Sequence, residues 1–335
     1  MSRFGAPQEG AAGVYVAGTV FLDLILTGLD GPPPPGTEAY ASGMAVSAGG
    51  VATVAVALAR LGVPVVLAAL FADDIWADLL WRTLSDEGVD LTPSRRVSDW
   101  STPLTVSLAF ENDRSLATYR AAPPVTLNVA EGLTAKASAC FTHIAPGISA
   151  SWLNRARSLG IPVFTDSRWD PSETWPIEVL ETLRPEDAFL PNASEAMAYT
   201  RQSNPRQALA DISKLVAVAV VKCGVDGAIA SESGGPILQE PGLKVEALDP
   251  TGAGDVFDAG FIYATLQGWP LEQRLRFAVV CSGLSVVQRG GALSAPTWVE
   301  IRAFLERAQE NSVSGRWTFL AEFAAQSKPE ETNRQ

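Results

Sequence analysis

Apolar residues recur along this chain in two alternating textures, short unbroken runs and longer stretches at helical spacing. Residues 14–18 form a run of strand type, 51–61 carry helical spacing closed by Gly62 and Pro64, 65–70 read as a strand, and 76–87 as a helix stopped at Gly88. Between 102 and 120 the period falls to two. Residues 105–110 alternate, 111–114 read as a turn and 115–119 return as a second β segment, which predicts a hairpin set into a β-α chain. The first texture resumes at 139–144, 163–166 and 188–191, with helices expected from about 151 to 159 and near 176–183. The run 215–221 predicts a buried parallel strand, and 255–266, 271–287 and 297–309 predict helices, the last amphipathic. An α/β architecture follows: a mostly parallel sheet with helices on both faces and a small β lid from 38–46 and 101–119. Residues after about 311 read as an addition, with a short helix at 317–325 and a polar tail at 328–335 expected to be disordered.

Composition narrows the chemistry. A chain of 335 residues, 47% of them hydrophobic, can fill a substantial core without covalent staples. Its three cysteines, Cys140, Cys223 and Cys281, show no C-x-x-C spacing, so neither a disulfide framework nor a zinc site is indicated, and a cytoplasmic location is expected. No stretch reads as a signal peptide or a membrane span. A net charge of −12 argues against nucleic acid or anionic lipid as partner, whereas a nucleotide can still be held by backbone amides and a metal ion. The single histidine, His143, removes serine-histidine triads and multi-histidine metal sites, and proton transfer falls to a carboxylate. His143 itself reads as a core or rim residue.

One segment carries most of the chemistry, Asp249-Pro-Thr-Gly-Ala-Gly-Asp255, which follows a β-like run at 245–248 and opens a helix. Gly252, Ala253 and Gly254 are small enough for the backbone to approach a ligand closely, and the free amides of a helix start suit an anion. A carboxylate there is favoured in its charged form, so Asp255 can accept a hydroxyl proton. No G-x-x-x-x-G-K-[ST] or G-x-G-x-x-G occurs in its place.

This D-x-T-G-A-G-D segment and the small-residue helix after it resemble the C-terminal signature of the PfkB/ribokinase carbohydrate kinases. The resemblance implies a ribokinase-like fold at 1–312, with a discontinuous lid at about 36–50 and 98–122, and a separate extension at 313–335. It implies Asp255 as catalytic base and Gly252, Ala253 and Gly254 as the anion hole for the transferring phosphate. Pro191-Asn192-Ala-Ser-Glu195 resembles the N-x-x-E motif, which implies that Asn192 and Glu195 act through Mg²⁺, water and phosphate. Lys222, Gly224 and Gly227 resemble the turn bordering the nucleotide. Asp249, Thr251 and Ser294, the last in the loop begun by Arg289-Gly-Gly-Ala, become candidate ligands of a monovalent cation such as K⁺. Asp23 resembles the carboxylate that contacts substrate hydroxyls, and Gly49, Gly50 and Thr53 the G-G-x-x-x-N helix start, with threonine where the family has asparagine. Asp74 lies in a pattern with three alanines replacing glycines. Arg168, with Trp169, and Tyr119 with Arg120 are candidate substrate contacts at a strand end and on the lid.

The expected reaction is transfer of the γ-phosphoryl group of MgATP to a hydroxyl of a sugar or sugar-like polyol, with a homodimer formed through the lid. Only Arg114 and Arg120 lie in the lid segments, which argues for an acceptor without phosphate. The alternatives are a nucleoside or phosphosugar kinase of the same fold, and a weakly catalytic regulator that binds nucleotide or sugar.

Overall fold

The computed structural model describes residues 13–110, 113–146, 152–310 and 314–326. The tail at 328–335, the tip of the 111–114 turn at 111–112 and the helix start at 151 lie outside the described residues. In chain order the strands are β1 Val14–Ala17, β2 Val20–Leu29, β3 Gly43–Gly50, β4 Val65–Ala68, β5 Leu70–Ala72, β6 Arg95–Val97, β7 Leu104–Phe110, β8 Asp113–Tyr119, β9 Ala139–Ile144, β10 Val163–Ser167, β11 Ala188–Phe189, β12 Val218–Lys222, β13 Ala228–Glu232 and β14 Leu238–Glu240. The helices are α1 Val51–Arg60, α2 Ile75–Asp86, α3 Val129–Gly132, α4 Trp152–Ser158, α5 Ala193–Thr200, α6 Pro205–Ile212, α7 Ala253–Leu266, α8 Leu271–Ser285, α9 Trp298–Glu310 and α10 Ser314–Gln326.

Eight strands form the main sheet in the order β14-β13-β12-β11-β10-β9-β1-β4. Those from β12 to β4 pair parallel, so their carboxyl ends share one edge, where an open α/β sheet places its ligands. Alternate residues of these strands serve opposite faces. Tyr15, Cys140 and Val163 pack with Trp152 and Leu153 of α4, and Ala219 and Val221 with Tyr199 of α5 and Ile212 of α6. α1, α7 and α8 pack on one another as the second covering layer. Burial of both faces explains why these strands read as unbroken apolar runs.

The lid is a second sheet, ordered β3-β2-β7-β8. Its register puts Asp23 opposite both Ser47 and Thr105, so these polar groups share one face with Ile25 and Ser107. The other face carries Leu24, Leu26, Val46, Val106 and Leu108, all only half-buried. α1 begins directly at the end of β3, with Gly50 in the left-handed region at φ 64°.

Several elements differ from the sequence reading. β2 is ten residues long and belongs to the lid, which the apolar run at 14–18 did not reveal. The segment near 176–183 is a 3₁₀ helix, Ile177–Thr182, bounded by Pro176 and Pro185. The run at 245–248 is not a strand: the amides of Leu248 and Asp249 both donate to the Val286 carbonyl at the end of α8. β13 and β14 add an antiparallel edge that was not foreseen. The chain divides into two compact units, Met1–Ala295 and Pro296–Gln335, so the second takes in α9 as well as the extension from 313. Within it α9 and α10 meet through Trp298 on Phe323 and Phe304 on Trp317. No helix among the described residues is long and apolar enough to cross a membrane.

Candidate active site

The glycine-rich turn enters α7 through Gly252, whose φ of 77° requires a residue without a Cβ penalty. A Cβ there would also stand 3.0 Å from the Thr53 methyl. Thr53 is buried beneath the turn and donates from Oγ1 to the Ala48 carbonyl at 3.2 Å. The turn is fastened by Asp249, which accepts from the amides of Thr251 at 2.9 Å and Gly290 at 3.1 Å, drawing in the 290–294 loop. In that loop Ser294 Oγ donates to the Gly291 carbonyl at 2.7 Å. The lid touches the same turn: Ser107 and Thr251 hydroxyls lie 3.1 Å apart, and Arg114 donates to the Pro250 carbonyl at 2.7 Å. In the first turn of α7 the Ala253 amide donates to the Pro250 carbonyl at 3.3 Å, and the amides of Gly254 and Asp255 come before the helical ladder begins.

Asp255, in that first turn, is held by a residue that sequence reasoning had set aside. His143 is the penultimate residue of β9 and its Nε2 lies 3.0 Å from Asp255 Oδ1. Nothing local predicted the pairing, since the partners are 112 residues apart.

One helical turn further, Asp258 is fully buried and shares Lys222 with Asp166: Nζ is 2.7 Å from Asp166 and 2.9 Å from Asp258, and also reaches the Gly254 carbonyl at 3.4 Å. Burial opposes the charge on Lys222, but Asp166 and Asp258 outweigh it and hold the ammonium above its ordinary value. Burial also pushes the Asp258 carboxyl up. His143, Asp166, Asp255 and Asp258 bring ligand atoms close enough together for a metal, and the Lys222 ammonium already bridges two of them, Asp166 and Asp258. Lys222 thus faces inward to the carboxylates beneath α7. Gly224 has open space around it, whereas a Cβ on Gly227 would strike the Glu240 carbonyl at 2.0 Å. Beside this turn a cavity of about 880 Å³ is lined by Val225, Asp226, Gln239 and residues 241–246.

Asn192 and Glu195 form a reciprocal capping box at the start of α5. Glu195 also accepts from Ser167 Oγ at 2.6 Å, and burial followed by the charge of Asp166 pushes its carboxyl up to about 7. A cation beside the Glu195 carboxylate would relieve that repulsion, so the pair fits a magnesium ion.

On the lid, Asp23 lies across Gly49, where a Cβ would come within 2.1 Å of the carboxylate. Burial, then the charge of Asp255, pushes Asp23 up to about 7. Asp255 is thus near enough to act on Asp23 as a like charge. Arg168, just past β10, donates to Thr19 Oγ1 at 3.2 Å and lies over the Phe21 ring at 5.2 Å. Burial and the nearby charge of Arg120 lower Arg168 to about 10. Neither arginine has an acidic partner among the described residues. Asp74 caps α2 and accepts from the Thr102 amide and hydroxyl, a fastening of the lid's base. Trp169 and Tyr119 are exposed.

Residues 12–298 match the profile of the pfkB family carbohydrate kinases. The chain is 31% identical over 299 residues to an ATP-dependent ribose-1-phosphate kinase of Halopiger xanaduensis, covering 87% of this chain and 97% of that protein. It is 26% identical over 298 residues to a ribokinase of Bacillus subtilis, covering 87% and 99%. Among solved structures, Arabidopsis thaliana ribokinase complexed with ribose and ATP superposes with a TM-score of 0.70 at 24% identity, over 86% of this chain and 96% of that one.

Proposed function

The chain belongs to the pfkB family of carbohydrate kinases, and from that premise we propose that Asp255 is the base of an ATP-dependent phosphoryl transfer to a hydroxyl held against the lid by Asp23. The observation that carries this reading is the meeting of lid and glycine turn: Ser107 and Arg114 bind Thr251 and Pro250, which brings the polar lid face bearing Asp23 to the turn that opens on Asp255. Asp255 takes the hydroxyl proton, the acceptor oxygen bonds to the γ-phosphorus of ATP, and the bond to the ADP oxygen breaks. Amides of Gly252 and Gly254 donate to the transferring oxygens, while Ala253, whose amide donates to the Pro250 carbonyl, closes the turn between them. The cavity beside Gly224 takes the nucleotide base. Magnesium, when bound, offsets phosphate charge, and Glu195 with Asn192 would hold it. Asp249, Thr251 and Ser294 would serve a potassium ion at the loop they already tie together. Asp255→Asn should lower kcat by about 10²–10⁴ with ATP binding retained. Near-normal turnover would remove Asp255 from the role.

A second reading concerns the acceptor. Arg168 from the core joins Arg120 from the lid, and two neighbouring cations without carboxylates favour an anionic acceptor over the phosphate-free one expected from the lid arginines alone. The 31% identical relative is named for a phosphorylated sugar, which supports it. ADP release measured with ribose, ribose 1-phosphate, sugar acids and nucleosides separates the classes. Faster turnover of a neutral sugar, unchanged in Arg168→Ala, would return the acceptor to the phosphate-free class.

The apolar outer face of the lid fits a second copy of the chain, because solvent-facing strands ordinarily present polar side chains.

A further inference from the structure

We propose that His143 is a positioning residue for Asp255, donating from Nε2–H to Oδ1 so that Oδ2 is left aimed at the acceptor hydroxyl. The inference rests on Asp255 being the base. The contact is 3.0 Å and largely withdrawn from solvent, with 9% and 19% of the two side chains exposed. The imidazole is itself fixed: His143 sits in register with Asp166 in the sheet, and its ring meets Phe141 edge-on at 5.3 Å between centroids.

Asp255 needs such a holder. Asp258 lies one turn along the same helix, but its carboxylate is already bound by Lys222. Lys222 is committed to Asp166, Asp258 and the Gly254 carbonyl. Among the described residues His143 supplies the hydrogen bond to the Asp255 carboxylate. Without that hydrogen bond the carboxylate is free to rotate out of line with the incoming hydroxyl, and a base out of line loses rate without losing substrate.

The test uses the geometry of the amide side chains. Glutamine at 143 can place its amide nitrogen near the imidazole Nε2, whereas asparagine places it near Nδ1. His143→Gln should stay within a few-fold of wild-type kcat, while His143→Asn and His143→Leu should fall about 10- to 100-fold in kcat, with the KM for ATP unchanged. Equal activity of the Gln and Asn variants, or loss expressed only in KM, would overturn the proposal. Asp255→Asn, assayed alongside, separates the two ideas: an inert Asp255→Asn with fully active His143 variants refutes the positioning role and leaves the base in place. If Asp255→Asn is itself active, both fall. A measurement without substitution also decides. Because His143 is the chain's single histidine, ¹⁵N NMR of the folded enzyme reports one imidazole. It should carry its proton on Nε2, and a ring protonated on Nδ1 alone would exclude the donation.

Discussion

The chemistry of single residues here is set by which charges are buried together. Asp23 shows the consequence most directly. Its carboxyl is pushed up to about 7 by burial and by Asp255, well above the ordinary aspartate range. A carboxylate that must grip hydroxyls does so in its ionised form, so the KM for acceptor should fall as pH rises from about 6 to about 8. In Asp23→Asn that dependence should disappear, and the KM should stand about 10- to 150-fold above the wild-type value at the alkaline end. The sign for stability is opposite. A carboxyl raised in the folded state binds more protons folded than unfolded, so its contribution is fully present below about 4 and is lost as pH rises through about 7. Thermal unfolding of wild type and Asp23→Asn across this range should converge under acid conditions; a constant gap would refute the shift. Lys222 illustrates the complementary rule, a cation whose burial is tolerated because Asp166 and Asp258 surround it.

Among elements, the β3 strand and the α1 start explain two glycines by different causes. Gly50 needs its positive φ to pass from strand to helix, while Gly49 is extended and needs only the absence of a side chain beneath Asp23. Gly49→Ala would therefore displace the flexible end of Asp23 rather than break the strand. The expected result is an acceptor KM raised about tenfold or more, with the KM for ATP and the melting temperature close to wild type. A marked loss of stability would mean the strand, not the carboxylate, yields. The same scale shows where periodicity misled: the segment at 176–183 winds as a 3₁₀ helix, and a hairpin at β13–β14 follows a parallel strand without a change in composition to announce it.

For the whole molecule the lid is the informative part, because its polarity is inverted relative to a solvent-exposed sheet. The inner face carries Asp23, Ser47, Thr105 and Ser107, and the outer face carries leucines and valines. A polar inner face suits hydroxyls; an apolar outer face suits another lid. Light scattering should report a dimer, and Leu108→Lys, a charge placed on the middle of that face, should give a folded monomer. A monomeric wild-type chain would remove the lid interface from the account.

What the sequence by itself determined was the local information: the alternation that gives the parallel sheet, and a glycine turn that must open a helix and so fixes Asp255 at its start. Strand and turn signals are carried by neighbours in the chain, which is why the motif was legible without coordinates. Partners were not. His143 meets Asp255 across 112 residues, Lys222 meets Asp166 across 56, and Arg168 meets Thr19 across 149. Each of these was read from its own surroundings in sequence, His143 as core and Lys222 as a nucleotide contact. Their chemistry was decided only when the carboxyl ends of β1, β9, β10 and β12 were brought to one edge of the sheet, because the strength and sign of an electrostatic interaction depend on distance and burial, and neither is a property of a residue's place in the chain.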